Sequence, residues 1–180
     1  MAYEDIGLCE RGEAGEYIAS GATRPDGETP VNTSGGLKSK GHPIGATGAG
    51  QVVQAFDQLT GITPVDCLIR DARLVFVVPI GEMGEAIGPH GETVAAVEAE
   101  LGQPVELVED AVDAEGFVAN CLAPAAVRNI TLSEQGGSTV AYAEVPQADH
   151  GVAIGAEGES IETTRELAAR HFDIDDVQLA

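Results

Sequence analysis

Apolar positions in residues 51–180 follow two spacings in turn, the three-to-four-residue spacing of helices and the short runs or alternation of strands. The first half of this stretch predicts, in chain order, a helix at 51–59, strands at 66–69 and 74–78, a short helix at 83–87, a longer helix closed by Gly102, and a strand at 105–108. Turn residues separate these elements, with Gly61 after the first helix and Asp71-Ala72 between the two strands. The pattern therefore predicts a small α-β-β-α-α-β unit.

The second half of the stretch repeats the same plan. Its predicted elements are a helix at 117–122, strands at 127–133 and 139–145 around a turn at 135–137, a helix carrying Ile161, Leu167 and Ala168, and a strand at 174–179. Residues 75–94 and 142–161 align without a gap and are identical at 8 of 20 positions. We therefore expect an α/β (α+β) fold with domains at 51–110 and 111–180, preceded by a separate segment at 1–50.

A Gly-x-x-Gly turn lies between the two helices of each unit, as Gly88-Pro89-His90-Gly91 and as Gly155-Ala156-Glu157-Gly158. Glycines have no Cβ, so the backbone can approach a phosphate closely, and the amides at the start of the next helix favour an anion. We expect Ile87 and Ile154, which precede the turns, to contact bases. The alternative interpretation is that each turn is only a tight corner between two helices.

This arrangement resembles the type II KH domain, whose GXXG loop holds the backbone of single-stranded RNA or DNA. The resemblance implies two tandem KH domains whose candidate RNA-binding residues are Ile87, Gly88, Pro89, His90, Gly91, Ile154, Gly155, Ala156, Glu157 and Gly158. RNA-binding loops commonly carry Lys or Arg between the glycines, because phosphate contact drives affinity. His90 can donate a hydrogen bond, whereas Glu157 should repel a phosphate. The first loop is therefore the better candidate, and the second is a candidate for a structural role.

Longer stretches resemble the archaeal NusA-like transcription factors, small proteins that consist of two tandem KH domains. The matching stretches include Phe56-Asp57-Gln58-Leu59-Thr60-Gly61, Phe117-Val118-Ala119-Asn120 and Ala169-Arg170-His171-Phe172-Asp173-Ile174. With their surroundings they cover residues 56–180. The resemblance implies single-stranded RNA and RNA polymerase as partners, a role in transcription elongation or termination, and no catalysis.

The charge of the chain is strongly negative. It has 30 acidic and 9 basic residues, a net charge of −21, and no lysine after Lys40. Such a chain repels itself in dilute buffer, whereas at molar salt the Debye length falls to about 3 Å. The composition resembles that of cytosolic proteins from salt-accumulating archaea, so we expect a halophilic, cytoplasmic protein; the alternative is an acidic mesophilic one. Arg128, Arg165 and Arg170 are expected either to contact RNA or to pair with surface acids.

Cysteine spacing and hydropathy exclude several classes of protein. The three cysteines lie far apart with no Cys-x-x-Cys pair, so we expect neither a disulfide framework nor a metal site. No apolar run reaches the length of a membrane span, so we expect no membrane contact. Nothing in the sequence calls for a cofactor.

Residues 1–50 are richer in Gly, Ser, Thr and Pro than the rest of the chain. The stretch 31–48, with Gly41-His42-Pro43, resembles the C-terminal region of thiolases and related acyl-CoA acyltransferases, and residues 3–13 fit the same family. In that family the histidine equivalent to His42 helps to activate a cysteine from the N-terminal half of a longer protein. Cys9, Cys67 and Cys121 lack the context of that nucleophile, so we expect inert thiols. We interpret residues 1–55 as a truncated, loosely packed thiolase-like piece without catalytic residues, fused to the tandem-KH part.

Three functions remain open from the sequence. The leading hypothesis is a non-enzymatic, RNA-binding transcription factor of the NusA-like type. The first alternative is an acyl-CoA acyltransferase fragment that acts only with a partner subunit supplying the cysteine. The second alternative is a KH scaffold that binds a protein such as RNA polymerase instead of nucleic acid, which the negative charge of residues 62–180 favours.

Overall fold

The computed structural model describes residues 3–4, 7–24, 26–31 and 47–180. Their chain divides into an N-terminal unit, Met1–Gly48, and a C-terminal unit, Ala49–Ala180. The helices are α1 Ala14–Ala19, α2 Thr47–Thr60, α3 Met83–Ile87, α4 Glu92–Leu101, α5 Ala114–Cys121, α6 His150–Ile154 and α7 Glu159–Phe172. The strands are β1 Asp66–Ile69, β2 Leu74–Val78, β3 Val105–Glu109, β4 Asn129–Gln135, β5 Ser138–Glu144 and β6 Asp176–Leu179.

The N-terminal unit is held by local contacts. The Glu4 carboxylate accepts hydrogen bonds from the amides of Gly12 (2.9 Å) and Ala14 (3.4 Å), which fixes the turn before α1. The rings of Tyr3 and Tyr17 lie 6.5 Å apart. None of the described residues up to position 31 is buried, which agrees with the expectation of loose packing. Helix α1 was not predicted from the sequence, because this six-residue helix has no buried face and therefore no apolar periodicity.

The C-terminal unit contains two similar halves, which we call the first repeat (α2 to β3) and the second repeat (α5 to β6). Each half has a three-stranded sheet, in the orders β1-β2-β3 and β4-β5-β6. The first two strands of each sheet are antiparallel, and the third pairs parallel to the middle strand. The predicted mixed α/β fold and the α-β-β-α-α-β order of both halves are confirmed.

The predicted elements of the first repeat match those of the structure closely. Both strands of the first hairpin and α3 have the predicted bounds, and Gly102 ends α4 in a left-handed conformation with φ 69°. The first helix begins at Thr47 instead of residue 51, in a glycine-rich stretch that propensity disfavours. The prediction was correct where strands are runs of apolar residues and less accurate at the start of the first helix, where glycines give no helical pattern.

The boundaries of the second repeat were predicted less well. Helix α5 begins at Ala114, three residues before the predicted start, because the Asp113 side chain caps it by accepting a hydrogen bond from the Gly116 amide at 2.7 Å. The predicted strand at 127–133 is displaced by two residues, to β4. The hairpin turn is shorter than expected, since only Gly136 (φ 64°) and Gly137 (φ 89°) separate the strands.

Strand β2 is buried on both faces. Leu74, Phe76 and Val78 point into the core of the first repeat, where the Phe56 ring of α2 stacks on Phe76 with centroids 4.2 Å apart. Val75 and Val77 point the other way and pack in a core shared with the second repeat. The remaining members of this shared core are Leu68, Val108, Phe117, Cys121 and Leu167. The two repeats therefore bury apolar surface against each other.

The shared core should make the stability of the two repeats interdependent. Leu167 of α7 is fully buried in it, so Leu167→Ala should lower the free energy of unfolding by about 2–5 kcal/mol. The matched substitution Leu59→Ala removes the same atoms from a side chain that is 42% exposed and should cost under about 1 kcal/mol. Urea titrations followed by circular dichroism in molar KCl measure both values. Equal losses for the two variants would contradict the shared core.

Candidate nucleic-acid interface

The first Gly-x-x-Gly turn joins α3 to α4 through one tight, irregular turn. Gly88 ends α3 with φ 73° and ψ 174°, and its amide donates to the Gly84 carbonyl at 3.0 Å. His90 (φ 55°) and Gly91 (φ 80°) are both left-handed, so the chain reverses before Glu92 begins α4. A non-glycine residue with such a φ is uncommon, and it places the His90 side chain at the exposed tip of the turn.

The second turn, between α6 and α7, has the same backbone conformation. Gly155 has φ 76° and ψ 176°, Glu157 has φ 53°, and Gly158 has φ 86°. None of these φ and ψ values differs from its counterpart in the first turn by more than 6°. The sequence repeat therefore encodes a repeated backbone, and Glu157 occupies the position that His90 has in the first turn.

The two glycines of each turn are required for different reasons. A Cβ on Gly88 would lie 2.6 Å from the Thr93 Cβ, and one on Gly155 would lie 2.8 Å from the Ser160 Cβ. The second glycines, Gly91 and Gly158, would carry a Cβ into open space, so only their positive φ favours glycine. The first glycine thus permits the close packing of the turn on the next helix. The second leaves the outer surface of the turn open to a ligand.

Sequence reasoning missed Thr93 and Ser160, the side chains that pack against the first glycines. They occupy equivalent positions in the two repeats, so the aligned sequences contained a signal for them. Both are small hydroxyl residues in the first turn of the helix that follows the loop.

An exposed apolar side chain precedes each turn, as expected. Ile87 at the end of α3 is 40% exposed and Ile154 at the end of α6 is 41% exposed. The alanines before them, Ala86 and Ala153, are fully buried and anchor the two short helices on their cores. Each turn therefore has open backbone beside an apolar side chain, an arrangement that can contact both a phosphate and a base.

The charges around the two turns differ. Glu92 is the acidic residue in the first turn of α4. The second turn has Glu157 at its tip and Glu159 and Glu162 in the first turn of α7. Asp71 and Arg70, from the hairpin of the first repeat, line an open pocket of about 230 Å³ together with these three glutamates, Gly158 and Thr163. An anion at the second turn would therefore meet several carboxylates.

Arginines that could contact a nucleic acid are mostly engaged within the protein. Arg70 contacts Glu166 at 2.7 Å, and Arg165 contacts Glu162 and Asp176. Arg73 Nε lies 2.9 Å from Glu106 Oε2, an ion pair that is not aligned as a hydrogen bond. Of the expected RNA-contacting cations, Arg165 and Arg170 are therefore ion-paired, and Arg128 lies exposed immediately before β4.

Asp66 connects the two repeats at the end of α7. It contacts Arg170 Nη1 at 3.1 Å and His171 Nε2 at 3.2 Å, both from the second repeat. Partial burial alone would raise the pKa of Asp66, but hydrogen bonds from Arg170 and the Cys67 amide, with the Arg170 charge, outweigh it and lower the pKa. The ionised carboxylate is therefore the form that the folded protein stabilises.

The surroundings of all three cysteines raise the pKa of the thiol. Burial is the largest cause that raises the pKa of Cys121 to about 12 and the pKa of Cys67 to about 11. Desolvation, followed by the charges of Glu4 and Glu13, also raises the pKa of Cys9. A raised pKa disfavours the thiolate that a nucleophile requires. His42, the thiolase-type histidine, lies outside the described residues.

Among the residues that the structure describes, no three His, Cys, Asp or Glu side chains are grouped to hold a metal ion. In the same part of the chain, no helix is long and apolar enough to cross a membrane.

Comparison with known proteins finds two kinds of relative. The probable transcription termination protein NusA of Halobacterium salinarum is 62% identical over 131 residues, which cover 73% of this chain and 94% of that protein. The chain belongs to this NusA-like family. A second member, the protein of the same name from Methanocaldococcus jannaschii, is 27% identical over 69% of this chain and 68% of its own length. The solved crystal structure of APE1850 matches with a TM-score of 0.64 and 29% identity, over 72% of this chain and 96% of that one.

The N-terminal part of this NusA-like chain has other relatives. A family model described as thiolase C-terminal domain-like matches residues 1–88. The acetyl-CoA acetyltransferase of Methanothermobacter thermautotrophicus is 52% identical over 61 residues, which are 34% of this chain but only 16% of that enzyme. The predicted combination of a NusA-like part with a thiolase-like segment is thus confirmed. The relatives that match about 70% of this chain are named as transcription termination proteins, which favours a protein that is not an enzyme.

The glycine geometry generates a stability prediction. Gly88→Ala introduces both a positive-φ penalty and a collision with Thr93, whereas Gly91→Ala introduces the φ penalty alone. Gly91→Ala should cost about 1–2 kcal/mol, and Gly88→Ala should cost clearly more. Chemical denaturation of the two variants measures the difference. Equal losses of stability for the two variants would contradict the close packing of Gly88 against Thr93.

A second prediction concerns pH. Because the folded-state pKa of Asp66 is lowered, its contribution to stability is present above its unfolded value near 4 and is lost as the pH falls through the folded value. Asp66→Asn should cost about 1 kcal/mol at pH 7, and the difference from the parent should shrink as the pH falls below about 4. Urea titrations over that range measure it, with Glu134→Gln at an exposed hairpin position as control. A difference that is independent of pH would contradict the ionic role.

Proposed function

We propose that this chain is a transcription elongation or termination factor of the NusA-like type, with two tandem KH domains, that binds single-stranded RNA at a Gly-x-x-Gly turn. The observation that carries the proposal is the pair of Gly-x-x-Gly turns with matching backbone, each at the start of a long helix. The element order and the strand pairing of each repeat support the assignment to the type II KH fold. RNA and RNA polymerase are the proposed partners.

The RNA backbone would lie against the open side of the turns. The dipole at the N-terminal end of α4 favours an anion there, and Gly91 leaves space for a phosphate. The candidate RNA-binding residues are Ile87, Gly88, Pro89, His90 and Gly91 in the first repeat, and Ile154, Gly155, Ala156, Glu157 and Gly158 in the second, where the charge of Glu157 makes the turn the weaker candidate. His90 at the tip of the first turn can donate a hydrogen bond to the phosphate or stack on a base.

A protein-binding scaffold is the second candidate function. The C-terminal unit has 5 arginines, no lysine and 23 carboxylic acids, a formal net charge of 5 − 23 = −18. Four of those arginines are ion-paired within the protein. Such a surface favours a basic protein as partner over a nucleic acid. RNA polymerase would then be the ligand, and the turns would be structural corners.

A matched pair of glycine variants separates the two functions. Gly91→Asp places a carboxylate where the proposed phosphate binds, in a position with room for a side chain. Gly102→Asp makes the same substitution at the far end of α4, where the glycine is also left-handed and its Cβ would also meet open space. Both variants should lose similar stability, and only Gly91→Asp should weaken RNA binding, by about tenfold or more.

The assay is fluorescence anisotropy in about 2 M KCl with a labelled, mixed-sequence single-stranded RNA of about 12 nucleotides, longer than the four that one KH loop contacts. Equal affinities for the two variants would remove the first turn from the RNA site. No binding by the intact chain would refute the RNA function. Retention of this chain by immobilised RNA polymerase would then support the scaffold.

A further inference from the structure

We propose that the charge of Glu157 excludes phosphate from the second turn, so that RNA binds at the first turn alone. The affinity of the protein for RNA should then rise with the KCl concentration. The inference rests on the proposed RNA-binding function and concerns how the same surface distinguishes its ligand. It uses three features of the C-terminal unit: the matching turns, their different charges, and the ion pairing of the arginines.

Glu157 differs from His90 in chemistry but not in position. Both residues have φ near 55°, both are exposed, and both lie between an apolar residue and a left-handed glycine. The backbone of the second turn could therefore accept a phosphate as well as that of the first. What differs is the carboxylate of Glu157 at the tip and that of Glu162 in the following helical turn, where the first repeat has Ala95; Glu159 corresponds to Glu92 of the first repeat. Their negative charge offsets the attraction of the α7 amides for an anion.

The neighbouring arginines do not cancel this negative charge. Arg70 lines the same pocket, but its guanidinium contacts Glu166 at 2.7 Å. Arg73 contacts Glu106 at 2.9 Å and Glu159 at 3.6 Å, so it is shared between two carboxylates. A phosphate at the second turn would have to displace these pairs while also facing Glu157. The first turn lacks such a carboxylate at its tip and remains the open site.

Four of the five arginines of the C-terminal unit are ion-paired, and this pairing sets the salt dependence of the proposed binding. A protein that neutralises phosphates with Lys or Arg releases counterions, so its affinity for single strands falls with salt by about 0.7 in log–log slope per ion pair. Contacts from backbone amides release almost none. Added KCl meanwhile screens the repulsion between RNA and a chain of net charge −21, as the Debye length falls from about 10 Å at 0.1 M to 3 Å at 1 M. A few unscreened charges about 10 Å from a phosphate lower the affinity about tenfold.

The test compares the intact chain with two lysine variants of identical net charge. Glu157→Lys puts a cation at the tip of the second turn. Glu134→Lys makes the same change at the exposed β4–β5 hairpin, where Glu134 pairs with Thr139. Thr139 in turn bonds Asp175, just beyond the C-terminal end of α7. Because α7 has 14 residues, this control lies about 21 Å along the helix from the second turn.

RNA titrations from about 0.2 to 2 M KCl should show an increase in affinity of about twofold or more for the intact chain and for Glu134→Lys, because 0.2 M KCl already screens part of the repulsion. Glu157→Lys should bind RNA more tightly than Glu134→Lys at 0.2 M KCl. Between 0.2 and 2 M its affinity should fall about fivefold relative to that of Glu134→Lys, which is the effect of one added phosphate contact. Circular dichroism at each KCl concentration shows whether the intact chain and the two lysine variants remain folded.

Several results would overturn the inference. An affinity of the intact chain that is constant or falls between 0.2 and 2 M KCl would show that free cations carry the binding. Indistinguishable lysine variants would show that Glu157 does not control the second turn. Absence of RNA binding at every KCl concentration would refute the proposed function itself, a result that differs from both of the others.

Discussion

The burial of β2 on both faces is the constraint on which the C-terminal unit depends. One face completes the core of the first repeat, and the other, through Val75 and Val77, forms a core with Phe117 and Leu167 of the second. Removing the second repeat would expose one face of the first sheet to water, and removing the first repeat would expose the apolar sides of α5 and α7. Because apolar burial contributes about 25 cal/mol per Å², the two repeats stabilise each other. Both Gly-x-x-Gly turns are therefore carried by one compact unit.

Ion pairs at the edge of this shared core join the two repeats and also occupy most of the arginines of the unit. Arg70, Arg73 and Arg170 each contact a carboxylate of the other repeat, and together with Arg165 they account for most of the cations of the unit. Exposed pairs of this kind contribute little each, but here they form a network around an apolar core. The same pairing leaves few positive charges for a polyanion. Stability of the unit and its choice of ligand are thus linked through the same side chains.

The two turns separate backbone geometry from electrostatics. Their φ and ψ values agree, so the first glycine, the left-handed third residue and the last glycine have the same roles in both. The side chains at the tip differ, a histidine in one and a glutamate in the other. The conformation of a short turn is determined by steric limits on a few residues, whereas its affinity for an anion depends on every charge nearby. Equal geometry therefore does not imply equal function.

The sequence by itself determined the features that depend on nearby residues. The internal repeat, the apolar strands 66–69 and 74–78, the glycine turns and the exposed isoleucines before them were all predictable, because periodicity and steric freedom act within a few residues. The unbroken apolar run of β2 also held a signal for burial on both faces, since a half-exposed strand would alternate.

Tertiary structure decided the rest. Which helices cover the second face of β2, which carboxylates of one repeat pair with arginines of the other, and which hairpin residues lie beside the second turn all depend on contacts between residues far apart in the sequence. The hydrogen bonds of Arg70, Arg73 and Arg170 between the repeats span 90 to 104 positions. No local pattern encodes such pairings. They follow from packing two amphipathic repeats together, which brings charged residues of one repeat beside those of the other.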